Sequence, residues 1–246
     1  MSIAYSVYPD HLAASHQVAS LMAEAVASHP SCVLGLATGS TPLQVYSELC
    51  RRHREDGLSF GDVTTFNLDE YLGLKVGHPQ SYRHFMQTQL FDQVDIDIPR
   101  THFPDVHADD VQQASEHYEH QLSESGGIDL QLLGIGTNGH IGFNEPGTTL
   151  ESLTRVVDLA PSTIRSNTRF FESAEQVPRQ AITMGIASIL RAKKVVLLAT
   201  GAAKAAAVAG AIQGPITADN PASYLQSHAD VLFVLDEPAA AQLDAR

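Results

Sequence analysis

"IDLQLLGIGTNGHIGFNEPG", Ile128 to Gly147, begins as an apolar run and ends as a loop in which Gly134, Gly136, Gly139 and Gly142 alternate with Asn138, His140 and Glu145. The non-alternating front half predicts a strand buried on both faces, as parallel sheets require. The same type of run recurs in "CVLGLAT" (32–38), "DVTTFNL" (62–68), "KKVVLLAT" (193–200) and "ADVLFVLD" (229–236). Between these runs lie segments that suit helices: "LAASHQVASLMAEAVASH", "TPLQVYSELCRRHRED", "HPQSYRHFMQTQLFDQV", "ADDVQQASEHYEHQLSES", "QAITMGIASILRA" and "AAKAAAVAGAI". Strands alternating with helices predict an α/β fold, a Rossmann-like three-layer sandwich on a mainly parallel sheet. Residues 1–246 are expected to form one domain, in which roughly 153–180 lack clean periodicity and read as a lid.

Ligands of such sheets bind outside the carboxyl ends of the strands. Four of the five runs pass into an unusual loop there: "ATGSTP", "NLDEYLG", "GTNGHIGFNEPG" and "ATGAAKA". These loops are expected to meet on one rim, whereas "LDEPAA" after the fifth run reads as closing the sheet edge. "LATGSTP" and "LATGAAK" echo each other and suit backbone N–H groups that cradle an anion, although Gly and Ser/Thr are also ordinary turn and cap residues. Neither loop fits the P-loop pattern. "GIGTNG" matches the dinucleotide fingerprint only formally, because the acidic partner on a following strand is missing.

A formal charge of -13, uninterrupted by any Lys/Arg block, argues against nucleic acid and anionic membrane as partners. It leaves a small molecule; if that molecule is an anion, the few cations near the rim must hold it locally. Cys32 and Cys50 lack metal-ligand spacing and read as structural thiols. The N-terminus has no leader pattern and no run approaches the ~18 apolar residues of a membrane span, so a cytoplasmic protein is expected.

Asp69, in "FNLDEYLG", ends a buried strand, where partial desolvation raises a carboxyl group toward a useful proton acceptor; the alternative is that Asp69 and Glu70 cap the next turn. His140 is the only one of 12 histidines inside a Gly-rich loop. Asn138 precedes it by two positions and Glu145 follows by five, so a carboxylate can orient the ring and leave one nitrogen free for proton transfer. Lys204 falls in the first turn of an Ala-rich helix, an unfavourable place for a cation unless it serves an anion. Arg169 is less determined by pattern, with Arg155, Arg165 and Arg179 as competitors.

Taken in order, "ATGSTP", "FNLDEYLGL", "HPQSYRHFM", "LGIGTNGHIGFNEPG", "SNTRFF" and "TGAAKA" resemble the glucosamine-6-phosphate deaminase (isomerase) family. "GHIGFNEP" separates it from the 6-phosphogluconolactonases of the same fold. The resemblance implies conversion of D-glucosamine 6-phosphate and water to D-fructose 6-phosphate and ammonia, in amino-sugar catabolism. It casts Asp69 as the acceptor of the C2 proton and His140 as the residue that opens the pyranose ring, with Glu145 as its carboxylate partner and Asn138 beside it. Gly39, Ser40, Thr41, Arg169 and Lys204 are cast as phosphate ligands, and the backbone at Gly134 and Gly136 as a contact for the sugar. It implies no cofactor and no metal.

Two positions depart from other members. Asn138 stands where some carry Asp, which implies an altered pH profile rather than inactivity. Val157, in "TRVVDL", stands near a basic residue of hexameric, allosteric members, whose C-terminus is also longer; a monomer or small homo-oligomer without allosteric activation is expected. Two rivals remain: a lactonase, and a sugar-phosphate-sensing regulatory domain. The second predicts an attached helix-turn-helix, for which about thirty residues before the first strand leave no room.

Overall fold

The computed structural model describes residues 3–168, 171 and 173–244. In chain order the elements are β1 (Ala4–Tyr8), α1 (His11–Ser28), β2 (Val33–Leu36), α2 (Leu43–Asp56), β3 (Thr64–Asn67), β4 (Asp69–Tyr71), α3 (Tyr82–Gln89), β5 (Thr101–His102), α4 (Val111–Glu124), β6 (Leu130–Leu133), β7 (Arg155–Asp158), α5 (Pro161–Asn167), β8 (Gln180–Thr183), α6 (Ile186–Ile189), β9 (Lys194–Ala199), α7 (Ala205–Gln213), β10 (Val231–Asp236) and α8 (Glu237–Ala240). Polar side chains start several helices: Asp10 accepts from the Ala13 N–H at 2.8 Å, Ser81 from His84 at 3.1 Å, and Asp110 from Gln112 and Gln113, both at 3.0 Å. Each satisfies N–H groups that the helix itself leaves unpaired.

Seven strands form a parallel sheet in the order β1-β10-β9-β6-β2-β3-β5, the centre of the expected three-layer sandwich. Every residue of β2 and β6 is buried, which is why their sequences do not alternate. β2 and β6 are neighbours, yet the next strand of the sheet lies on opposite sides of the pair, β3 beyond β2 and β9 beyond β6. That reversal opens a crevice at their carboxyl ends.

Three expectations are corrected. The edge is closed by β1, not by the strand ending at Asp236, which lies one place inside. β1 begins at Ala4, so the first strand comes far earlier than residue 30; a five-residue edge strand lacks a long apolar run. "QAITMGIASILRA" is not one helix: Gln180–Thr183 is strand β8 and only Ile186–Ile189 is helical. Short apolar runs do not distinguish strand from helix by period, and pairing decides.

β8 belongs to a second, antiparallel sheet, β4-β8-β7, which the sequence reading did not foresee. Glu119 on α4 ties this sheet down, accepting from the Thr154 N–H at 2.9 Å, from Arg191 at 3.1 Å, and from the Thr154 and Ser188 hydroxyls. A second apolar cluster of Tyr71, Phe143, Leu159 and Ala181 packs beside the main core. The small sheet stands at the carboxyl ends of the large one and walls one side of the crevice.

Candidate active site

A cavity of about 680 Å³ occupies the crevice, lined from all four loops: Thr38 to Pro42 after β2, Asp69 after β3, Gly134 to Asn138 and His140 after β6, and Lys204 after β9. Thr163, Asn167 and Phe171 close it from the segment around α5. Glu145 is not among the lining residues and stands behind His140. Arg169 lies outside the described residues.

β4 separates the two adjacent acids by strand alternation. Glu70 turns toward α3, where its carboxylate accepts from the backbone N–H groups of Tyr71 (2.8 Å), Tyr82 (2.9 Å) and Arg83 (2.8 Å). Asp69 turns toward the cavity and packs against Gly142, where an added Cβ would stand 3.3 Å from its Oδ2. Burial first, and the neighbouring Glu70 charge second, push the Asp69 carboxyl up to about 8. The capping alternative thus describes Glu70, while Asp69 is left as a cavity-facing acid.

The loop after β6 brings Asn138, His140 and Glu145 together. Asn138 Nδ2 donates to Glu145 Oε2 at 2.8 Å, and Asn138 Oδ1 lies 2.7 Å from His140 Nδ1, closer than Glu145 Oε2 at 3.4 Å. A carboxylate only accepts hydrogen bonds, so it turns the Asn138 amide group toward itself and the amide oxygen toward the ring. His140 Nδ1 must then carry the proton, and Nε2 is left as the basic nitrogen. Burial alone raises the Glu145 carboxyl, but His140 and the bonds from Thr163 and Asn138 outweigh it and hold the group at about 2. Gly136 serves this arrangement: a Cβ there would meet His140 Cε1 at 2.2 Å, and its N–H donates to the His140 carbonyl at 2.8 Å. Gly134 has open space where a Cβ would sit.

The echo between the two Thr-Gly loops is only partial. Gly39, Ser40 and Thr41 line the cavity, with Gly39 at φ 107°. The Gly201 N–H instead donates to both carboxylate oxygens of buried Asp236, each at 2.9 Å, and Thr200 meets His11 Nδ1 at 3.0 Å. Lys204 is not in the first turn of α7 but in the 3-10 turn Ala202–Lys204 that precedes it.

The sequence reading missed Thr163, Tyr71, Tyr82, Phe143 and Asn167 at the cavity. Tyr71 lies two positions after Asp69, on the same face of β4, a strand where the sequence "NLDEYLG" predicts a loop. The α5 residues carried no signal, because only tertiary folding brings them over the rim. Among the described residues, no group of three or more His, Cys, Asp or Glu side chains is placed to hold a metal ion, and no helix is long and apolar enough to cross a membrane.

Residues 10–234 match the family of glucosamine-6-phosphate isomerases/6-phosphogluconolactonase. A glucosamine-6-phosphate deaminase of Rhodopirellula baltica is 53% identical over 244 residues, covering 99% of this chain and 97% of its own length. One from Clostridium botulinum is 49% identical over 232 residues, 94% of this chain and 95% of its own. The solved structure of a monomeric glucosamine-6-phosphate deaminase superposes with a TM-score of 0.95 at 42% identity, covering 98% of this chain and all of that one. A 6-phosphogluconolactonase from Trypanosoma brucei shares the fold at a TM-score of 0.79 and 22% identity. From the matched span and these full-length relatives, the chain belongs to the glucosamine-6-phosphate isomerase/6-phosphogluconolactonase family.

Proposed function

We propose that this protein converts D-glucosamine 6-phosphate and water to D-fructose 6-phosphate and ammonia, in the breakdown of amino sugars. The observation that carries the reading is a buried acid, Asp69, facing the same cavity as a tautomer-fixed histidine, His140. Gly39, Ser40, Thr41, Lys204 and Arg169 hold the phosphate, and the backbone at Gly134 lets the sugar approach. His140, through Nε2, moves the proton that opens the ring at O5; Asn138 and Glu145 orient it. Asp69 then takes the C2 proton, and the C–H electron pair becomes a C1–C2 double bond. The carbonyl pair moves onto O1; return of the proton to C1, with the amino nitrogen's lone pair closing the C2–N double bond and an N–H proton passing to O1, leaves an imine at C2, which water hydrolyses to the ketone with release of ammonia. A base poised near neutral pH suits this transfer, because proton abstraction is fastest when the base is matched to the working pH.

Within the segment from about 153 to 180, α5 acts as the lid over the bound sugar, while β7 at its start is held in the small sheet. The protein works without cofactor or metal as a monomer or small homo-oligomer; high similarity to a monomeric deaminase supports the first of these. Val157 in place of a basic residue supports the absence of allosteric activation.

Ammonia release, assayed across hexosamine 6-phosphates with and without N-acetylglucosamine 6-phosphate, tests reaction, epimer preference and activation together. Release from glucosamine 6-phosphate, unaltered by the acetylated sugar, is expected. Hydrolysis of 6-phosphogluconolactone without ammonia release would replace this reading with the lactonase one, and sugar-phosphate binding without turnover would favour a sensor.

A further inference from the structure

Tyr71 shares the cavity face of β4 with Asp69, two positions away. Its hydroxyl oxygen accepts from the Tyr82 hydroxyl at 3.1 Å and from Asn167 Nδ2 on α5 at 2.7 Å. A phenol has two lone pairs and one proton. Both lone pairs are taken, and the proton has no acceptor among the described residues. The ring cannot swing away to find one: Tyr82, Phe143 and Phe171 box it in at centroid distances of 4.6, 5.7 and 6.2 Å. The Thr38 side chain stands beside the Tyr82 hydroxyl, so one polar chain runs from the anion-cradle loop to α5 with the Tyr71 hydroxyl in the middle. Burial pushes the Tyr71 phenol far above its ordinary value, which keeps it neutral and protonated.

We propose that Tyr71 is a further catalytic residue: its hydroxyl donates a hydrogen bond to the substrate oxygen that gains charge while Asp69 removes the proton from the adjacent carbon, and Asn167 positions that hydroxyl. This rests on the deaminase reading. As the C2–H bond breaks, its electron pair forms the C1–C2 double bond and the carbonyl pair moves onto O1. Tyr71 keeps its proton and shares it with that oxygen. A fixed donor in a water-poor cavity acts more strongly on such developing charge than on the ground-state carbonyl. Asn167 sits on α5, which lines the cavity, and holds the Tyr71 hydroxyl from there.

Tyr71→Phe removes the hydroxyl and keeps the ring. The expected result is a kcat about thirtyfold lower, with KM and the calorimetric affinity for fructose 6-phosphate changed by about threefold. Asn167→Ala, which leaves the phenol in place, is expected to lower kcat about threefold with KM unchanged. A kcat within twofold of the parent in Tyr71→Phe, or a loss confined to KM, would overturn the assignment. If Tyr71→Phe folds poorly, an unchanged kcat in Asn167→Ala overturns it instead. Failure of the deaminase reading shows separately, as no ammonia from the parent chain. Fructose 6-phosphate affinity, which needs no turnover, then decides whether Tyr71 meets the ligand, and an unaltered affinity in Tyr71→Phe counts against it.

Discussion

The two faces of the short strand β4 hold adjacent carboxyl groups with opposite fates. On one face Glu70, 4% exposed, accepts from three backbone N–H groups and anchors the start of α3. On the other Asp69, 6% exposed, is pushed up to about 8 by burial and by the Glu70 charge. Burial pushes both carboxyls up, but at Glu70 the three N–H groups oppose the rise and make it a structural anchor, whereas at Asp69 the Glu70 charge adds to it and leaves the proposed proton acceptor. What separates the two acids is which side of a pleat each occupies.

Replacing Asp69 is the strongest way to break that contrast. Asp69→Asn should lower ammonia release about 10³-fold while leaving sugar-phosphate binding measurable by calorimetry; turnover near the parent's would remove the proposed proton acceptor. Glu70→Ala should act mainly on stability, with a loss of about 2–3 kcal/mol in urea unfolding, because it removes the acceptor of three backbone N–H groups, one buried and two half-buried. An unfolding midpoint equal to the parent's would show that water replaces the carboxylate there.

The pH dependence sharpens the comparison. Asp69 must be ionised to accept a proton, so kcat/KM should climb about tenfold per pH unit below about 8 and level off above it, as a pH–rate profile would record. Stability runs the other way. The folded-state carboxyl is raised, so its contribution is full below the unfolded value near 3.8 and lost as pH rises through about 8. Asp69→Asn should therefore be more stable than the parent at pH 9 and show no such advantage at pH 3.5; a constant difference would contradict the raised carboxyl. The smallest effect belongs to Thr163→Val, which removes one bond to Glu145 and should lower kcat about threefold. No change would mean that His140 and Asn138 hold Glu145 unaided.

The rim of the parallel sheet was legible because buried strands and Gly-rich loops announce themselves in sequence, and the loops after β2, β3, β6 and β9 do meet. The small sheet was not legible. β4 is three residues long and pairs with β8, far along the chain, setting Asp69 opposite Thr183. The Asn138 question has a similar lesson. Sequence spacing suggested that Glu145 meets His140 directly, whereas the amide lies nearer and passes the orientation on.

By itself, the sequence determined the parallel α/β sheet, the rim on which the candidate site lies, and the residue types gathered there, because these follow from local periodicity and chain direction. Only the tertiary structure decided which of two adjacent acids faces the cavity, which His140 nitrogen is free, and that Tyr71 has a proton to give. Each depends on the desolvation and hydrogen bonds supplied by distant segments, and local sequence does not encode either.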